Sequence, residues 1–318
     1  MPPVDALVVT PPTADADAYE QTHVHSIYET IASHFSATRH KPWPLVTWFL
    51  QSRPAGAIGL DIGCGNGKYI GVNPDVVLLG SDRSGNLVSL AAPRTRFAQP
   101  VTAPVRKAHQ PSDSATPQQK LIPPVTGGDV LVADSLALPF VPGVADFAIS
   151  IAVVHHFSTR ERRCEAVRHI LQAIQPPNGV RPAGGISLPD SARLQLPDGA
   201  VIGEVAPSTD KPVQAGEALI YVWALEQRSS RRGWDEGAAQ DQLVPWVTKG
   251  AAQKKQKVVV EEETGDAEED KTVHRYYHLY RKGELEEDIR AISSLFSSAP
   301  SSLFIRAFTP VRQSKPTY

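Results

Sequence analysis

Apolar residues fall along this chain in two rhythms. Between residues 22 and 35, Val24, Ile27, Tyr28, Ile31 and Phe35 recur at intervals of three and four, which predicts one face of a helix. Pro42 and Pro44 end it, and residues 45–50 read as a second short helix. The second rhythm is a series of short continuous runs, at 58–62, 76–80, 130–133, 147–154 and 218–225, each closed by an acid or a glycine turn. Continuous rather than alternating runs suit strands of a parallel sheet buried on both faces. Between two of them, Ala166, Val167, Ile170, Leu171 and Ile174 form a helical stripe opened by Ser158-Thr159-Arg160-Glu161, a capping-box pattern. Strands alternating with helices predict an α/β, doubly wound, mainly parallel sheet with helices on both faces.

Proline places the interruptions. Fourteen of the 28 prolines lie in windows 93–128 and 176–215, where the missing backbone donor rules out central strand and core helix. Both windows read as inserts in one domain, as does 249–271, with a basic first half and an acidic second half. Residues 1–19 have no periodicity and read as a disordered arm. One domain over 20–292, with an atypical tail at 293–318, is therefore expected. Net charge is −2, so nucleic acid would have to be bound by local basic patches. Two cysteines supply neither a disulfide framework nor a four-cysteine zinc site, and no metal is expected. The longest apolar run, eight residues, is too short to span a bilayer, and no cationic region precedes an apolar segment at the N-terminus. No membrane contact and a cytoplasmic location, with the nucleus also open, are the expectation.

The strongest chemical signal is Ile58-Gly-Leu-Asp-Ile-Gly-Cys-Gly-Asn-Gly-Lys68, an apolar strand running into Asp61 and then Gly63, Gly65 and Gly67. Glycines there let backbone pass close to a ligand. The dinucleotide fingerprint requires a third glycine where Lys68 stands, so the spacing fits S-adenosylmethionine, which has no pyrophosphate, and a Rossmann-like class I methyltransferase fold. Asp82 closes the second strand about twenty residues after the turn, where a carboxylate meets a ribose diol. Asp134 closes the third and can accept from the adenine amine. The fourth strand ends in His155 and His156, facing the methyl group in this fold and candidates for positioning a substrate. Two patches combine cations with aromatics, as binding an unpaired RNA loop requires: Arg228, Arg231 and Arg232 beside Trp234, and Arg275, Tyr277 and Arg281 with their neighbours.

Several further segments raise the specificity. His40-Lys-Pro-Trp-Pro44, Gly71-Val-Asn-Pro74, Gly80-Ser-Asp-Arg-Ser84 and Ser158-Thr-Arg-Glu-Arg-Arg163 join Ala224-Leu-Glu-Gln227, Ser229-Ser-Arg-Arg-Gly-Trp234 and Arg275-Tyr-Tyr-His-Leu-Tyr-Arg281. Together they resemble the tRNA wobble-uridine methyltransferases that esterify 5-carboxymethyluridine. The resemblance implies an S-adenosylmethionine-dependent enzyme acting on a tRNA anticodon loop with a small zinc-binding activator subunit. It also implies that the substrate carboxylate is held by a cation, for which Arg39 and His156, less certainly His155, are the matching residues. Two other readings remain: a small-molecule methyltransferase, which would not need the arginine and tyrosine patches, and a non-catalytic relative that binds RNA or a partner. The family closes with a hairpin carrying tryptophans. Here the ending is serine-rich and has none, so residues 303–308 offer one strand and a full hairpin is doubtful.

Overall fold

The computed structural model describes residues 6–95, 127–174, 216–226, 234, 235, 237–248 and 271–293. Along the chain these form β1 (Leu7–Val8), α1 (Ala16–Glu20), a π-helical turn (Gln21–His25), α2 (Ser26–Thr38) and α3 (Pro44–Gln51). Then come β2 (Ile58–Ile62), β3 (Val77–Asp82), α4 (Gly85–Ala91), β4 (Gly127–Val132), β5 (Phe147–Ile151) and α5 (Arg160–Ile174). The last elements are β6 (Glu217–Tyr221), β7 (Asp241–Thr248), β8 (Lys271–His278) and α6 (Glu284–Ser293).

Five strands form an all-parallel sheet in the order β4-β3-β2-β5-β6. Their apolar runs are continuous because alternate residues serve different cores. Phe147, Ile149, Ile151, Leu219 and Tyr221 pack with Val46, Phe49 and Leu50 of α3. Ala148, Ala218, Ile220, Leu60 and Ile62 pack with Val167, Ile170, Leu171 and Ile174 of α5 and with Leu285, Ile289 and Ile292 of α6. The doubly wound α/β expectation is thus met. The strand order reverses between β2 and β5, and ligands of such sheets bind beyond the carboxyl ends at that point.

Three features depart from the sequence reading. Residues 6–19, expected to be a disordered arm, contribute β1, which pairs antiparallel with β7, and most of α1. Backbone pairing with a partner more than two hundred residues away supplies the order that local composition does not. A second, antiparallel sheet, β1-β7-β8, lies outside the parallel one, with β7 and β8 in register from Asp241↔His278 to Thr248↔Lys271. Pro245 hides β7 from a pattern reading. It is tolerated because β1 reaches only Gln242 and Leu243, leaving that edge of β7 free among the described residues. The expected insert limits also shift: residues 93–94 close a short 3₁₀ turn, β4 begins at Gly127 and β8 at Lys271. The rest of inserts 93–128, 176–215 and 249–271, and the tail after Ser293, lie outside the described residues. Among the described residues β6 has no ladder partner on its outer side.

Candidate active site

The turn after β2 has the backbone its glycines permit. Gly63, Gly65 and Gly67 have φ of +76°, +56° and +68°, the left-handed region that disfavours any side chain. Asp82, at the end of β3, faces that turn. Its Oδ2 accepts from the Gly65 N–H at 2.8 Å and its Oδ1 from the Ser84 N–H at 2.9 Å. Each oxygen keeps a lone pair, so both can still accept from a vicinal diol. Asp61 is buried and its Oδ2 has no partner among the described residues. Burial pushes its carboxyl up to about 7 against the pull of Lys68, whose own ammonium burial pulls down to about 8. A buried carboxylate oxygen awaiting a donor beside a glycine cradle fits the ammonium of an amino-acid ligand. These residues fit S-adenosylmethionine: Asp82 for the ribose, Asp61 for the amino group, the glycine turn for close backbone approach. Asp134 is more committed than expected: its Oδ2 takes Arg83 Nη1 at 2.8 Å and its Oδ1 the Leu136 N–H at 2.8 Å.

The two histidines after β5 are not the cations the resemblance implies. His156 Nδ1–H donates to the Tyr276 carbonyl at 2.8 Å, and Nε2 lies 2.9 Å from the Tyr28 hydroxyl, from which it accepts when the ring is neutral. Burial, only partly opposed by the Tyr276 carbonyl, pushes His156 down to about 3. His155 is wholly buried, 4.3 Å from the His156 ring and 4.8 Å from that of Tyr277, and burial holds it well below its ordinary value. Burial thus favours the neutral form of both rings. His156 instead orients Tyr28.

Tyr28 in turn accepts from Arg275 Nη1 at 3.1 Å. Arg275 and Tyr277, expected on an RNA-facing surface, are 6% and 5% exposed. The reason is that β8 is covered by α2 and the π turn, and by the residues following β5. Arg281 is exposed, whereas Arg228, Arg231 and Arg232 lie outside the described residues, and Trp234 is buried and bonded to Gln242 at 2.7 Å. Arg39 is exposed at the end of α2, its guanidinium 5.2 Å from the Trp246 ring centre. Sequence reasoning read Tyr28 as part of a helical face and missed Trp246. Tyr28 and Arg275 stand 247 residues apart, so no local spacing could join them. Lys68 was within reach, a cation directly after the glycine turn.

Glu20 anchors the N-terminal helix over this site. Its buried carboxylate accepts from the Ser158 N–H at 2.7 Å and hydroxyl at 2.9 Å, and from Arg162 Nη2 at 2.8 Å. Ser158 therefore serves Glu20, and the α5 cap falls to Thr159, whose hydroxyl accepts from the Arg162 N–H at 3.3 Å.

Sheet order, glycine turn and strand-end carboxylates define a Rossmann-like, S-adenosylmethionine-dependent methyltransferase. No family model matches the chain. It is 36% identical over 269 residues to the tRNA (carboxymethyluridine(34)-5-O)-methyltransferase of Schizosaccharomyces pombe, covering 85% of this chain and 87% of that one. The chain belongs to that family. The Saccharomyces cerevisiae protein of the same name is 43% identical over 228 residues, 72% of this chain and 57% of that one. The Xenopus tropicalis protein, named with alkbh8, is 31% identical over 90% of this chain, which spans 40% of its length. Among solved structures, the complex between the Haloferax volcanii Trm112 methyltransferase activator and a methyltransferase overlaps 47% of this chain and 56% of the matched one at 15% identity, TM-score 0.32. The fold assignment rests on the sheet order itself. Among the described residues no helix is long and apolar enough to cross a membrane.

Proposed function

We propose that this chain forms the methyl ester of 5-carboxymethyluridine at the wobble position of tRNA. S-adenosylmethionine, when bound, supplies an electrophilic methyl carbon. The carrying observation is that burial holds both histidines of the turn after β5 far below their ordinary pKa, which makes them weak bases, and that His156 has both ring nitrogens in hydrogen bonds. A nucleophile that must first lose a proton would be poorly served there. A carboxylate, already ionised near neutral pH, needs only to be held in line and stripped of water. Asp61 and Asp82 hold the cofactor, Arg39 is an exposed cation at the end of α2, and Arg281 is an exposed cation shortly after β8.

We further propose that the chain works with the small zinc-binding activator that the family resemblance implies. An open sheet edge supports this. Among the described residues β4 is the outermost strand of the parallel sheet, and Val132 at its end is 58% exposed. The test is transfer of labelled methyl to tRNA carrying 5-carboxymethyluridine, with activator present. Alkali-labile label on the wobble nucleoside is expected. Cofactor binding without such label would favour the non-catalytic alternative, and label on a small acid but never on tRNA would favour the small-molecule one.

A further inference from the structure

Beyond the glycine turn, one cluster of side chains holds two buried donors that meet no acceptor among the described residues. Arg275 is buried; among the described residues it makes a single side-chain hydrogen bond, Nη1 to the Tyr28 hydroxyl, and its Nε has no partner. Among the described residues no carboxylate pairs with it. Its guanidinium carbon lies 4.6 Å from the Trp246 ring centre, 5.2 Å from that of Tyr277 and 5.5 Å from that of Tyr28. The buried Nε1–H of Trp246 is also unpartnered, as is Nδ1 of His34, whose ring meets Trp246 edge-on at 5.4 Å. Buried cations are ordinarily paired, and buried N–H groups ordinarily bonded. Here a cation and an indole donor sit together, offset only by aromatic faces.

The cluster adjoins the cofactor turn. Phe35 lies 5.6 Å from Tyr28 and 6.0 Å from Trp246, ring centre to ring centre, and its edge comes within 3.5 Å of where a Gly65 side chain would begin. Two aromatic rings, Tyr28 or Trp246 and then Phe35, thus lead from Arg275 to the backbone that cradles the ligand.

We infer that Arg275, caged by Tyr28, Trp246 and Tyr277, is the group that binds the substrate's carboxylate, with the Trp246 Nε1–H as a second donor and Arg39 left to the rim. This rests on the proposed reaction and names the residue that selects its anionic substrate. An incoming carboxylate supplies the charge and the acceptors the cage lacks, and an arginine fork matches it in shape. His156 acts through Tyr28, which fixes Nη1, and is a positioning residue.

The test uses the full chain with its activator and two anticodon stem-loops, identical except that the wobble uridine carries a carboxymethyl group or its uncharged carbamoylmethyl counterpart. Wild type is expected to bind the carboxylate form tighter by about tenfold, the scale of one charge-assisted pair. Arg275→Gln is expected to flatten that ratio to near one while cofactor affinity holds, and Arg39→Gln to weaken both stem-loops while keeping the ratio. A wild-type ratio retained in Arg275→Gln overturns the assignment. If that variant does not fold, the Arg275 Nε–H resonance of the wild-type protein decides. It should shift on adding the carboxymethyl stem-loop and not the carbamoylmethyl one, and equal shifts overturn the inference. The proposed reaction fails separately, by absence of methyl transfer to wobble carboxymethyluridine in wild type.

Discussion

A methyl group added at Gly63 meets two separate penalties. The residue has φ +76°, and a left-handed conformation costs an ordinary L-residue ~1–2 kcal/mol. The new Cβ would also lie 2.2 Å from Val153 Cγ2 and 3.0 Å from Cγ1. Val153 is β-branched and stiff at χ1, so it cannot simply rotate away, and such overpacking costs ~1–3 kcal/mol. Gly63→Ala should therefore destabilise by about 3 kcal/mol, lowering the melting temperature by about 6–12 °C for a domain of this size. The two penalties can be separated, because Val153→Ala removes both γ carbons and leaves φ untouched. Thermal denaturation of Gly63→Ala, Val153→Ala and the double variant forms a cycle. The double variant should recover the overlap share, with a coupling of ~1–3 kcal/mol, and stay short of wild type by the backbone share. Strictly additive losses would refute the clash. A Gly63→Ala melting curve superimposed on wild type would refute the turn geometry altogether.

Asp82→Ala should abolish S-adenosylmethionine binding by calorimetry, since it removes the diol acceptor and frees the Gly65 N–H that shapes the turn; unchanged affinity would dismiss the ribose assignment. Cofactor affinity should rise as pH climbs through about 7, where Asp61 ionises, and Asp61→Asn should bind weakly and without that rise. Stability should also depend on His278, held between Asp241 at 2.9 Å and Glu284 at 2.8 Å. Burial alone would lower its pKa, but the two carboxylates outweigh burial and raise it above the ordinary 6.5. Its contribution is thus complete below about 6.5 and fades as pH rises through the raised value, and denaturant midpoints should show that loss in wild type and not in His278→Gln. Finally, kcat for methyl transfer should be level from about pH 6 to 9, because the nucleophile ionises near 4 and His156 near 3; a bell-shaped profile would restore a histidine base.

The parallel sheet was legible because its inner strands β2 and β5 are buried on both faces, which writes a continuous apolar run whatever the partner. The glycine turn was legible because its constraint is local: three positive φ values within five residues admit little but glycine. The antiparallel sheet was not. Asp241, Gln242 and Pro245 disguise β7, and His274, Arg275 and His278 make β8 look like a solvated face. An arginine in sequence carries a strong expectation of exposure. Only the tertiary cover of α2, the π turn and the residues after β5 reverses it. The same ambiguity misassigned His156, since a neutral orienting histidine and a charged anion-binding one have identical spacing and differ only in what their nitrogens meet.

That difference assigns labour to the two sheets. The parallel sheet carries Asp61, the glycine turn and Asp82, the residues that fit the cofactor, on strand ends fixed by two cores. The small sheet carries Trp246, Arg275 and Tyr277, and the N-terminal helix carries Tyr28. On the proposed assignment, substrate recognition is a separate layer built from chain that precedes and follows the strands carrying Asp61 and Asp82. Two polar links tie that layer down: Glu20 to Ser158 and Arg162, and Tyr28 to His156. Both end on the segment between β5 and α5, at the mouth where the methyl group is delivered. A neutral histidine suits such a link, because its hydrogen bonds do not change with pH across the physiological range. His156 in this arrangement keeps the substrate layer in register with the cofactor layer, and the conspicuous histidine pair marks the joint between them.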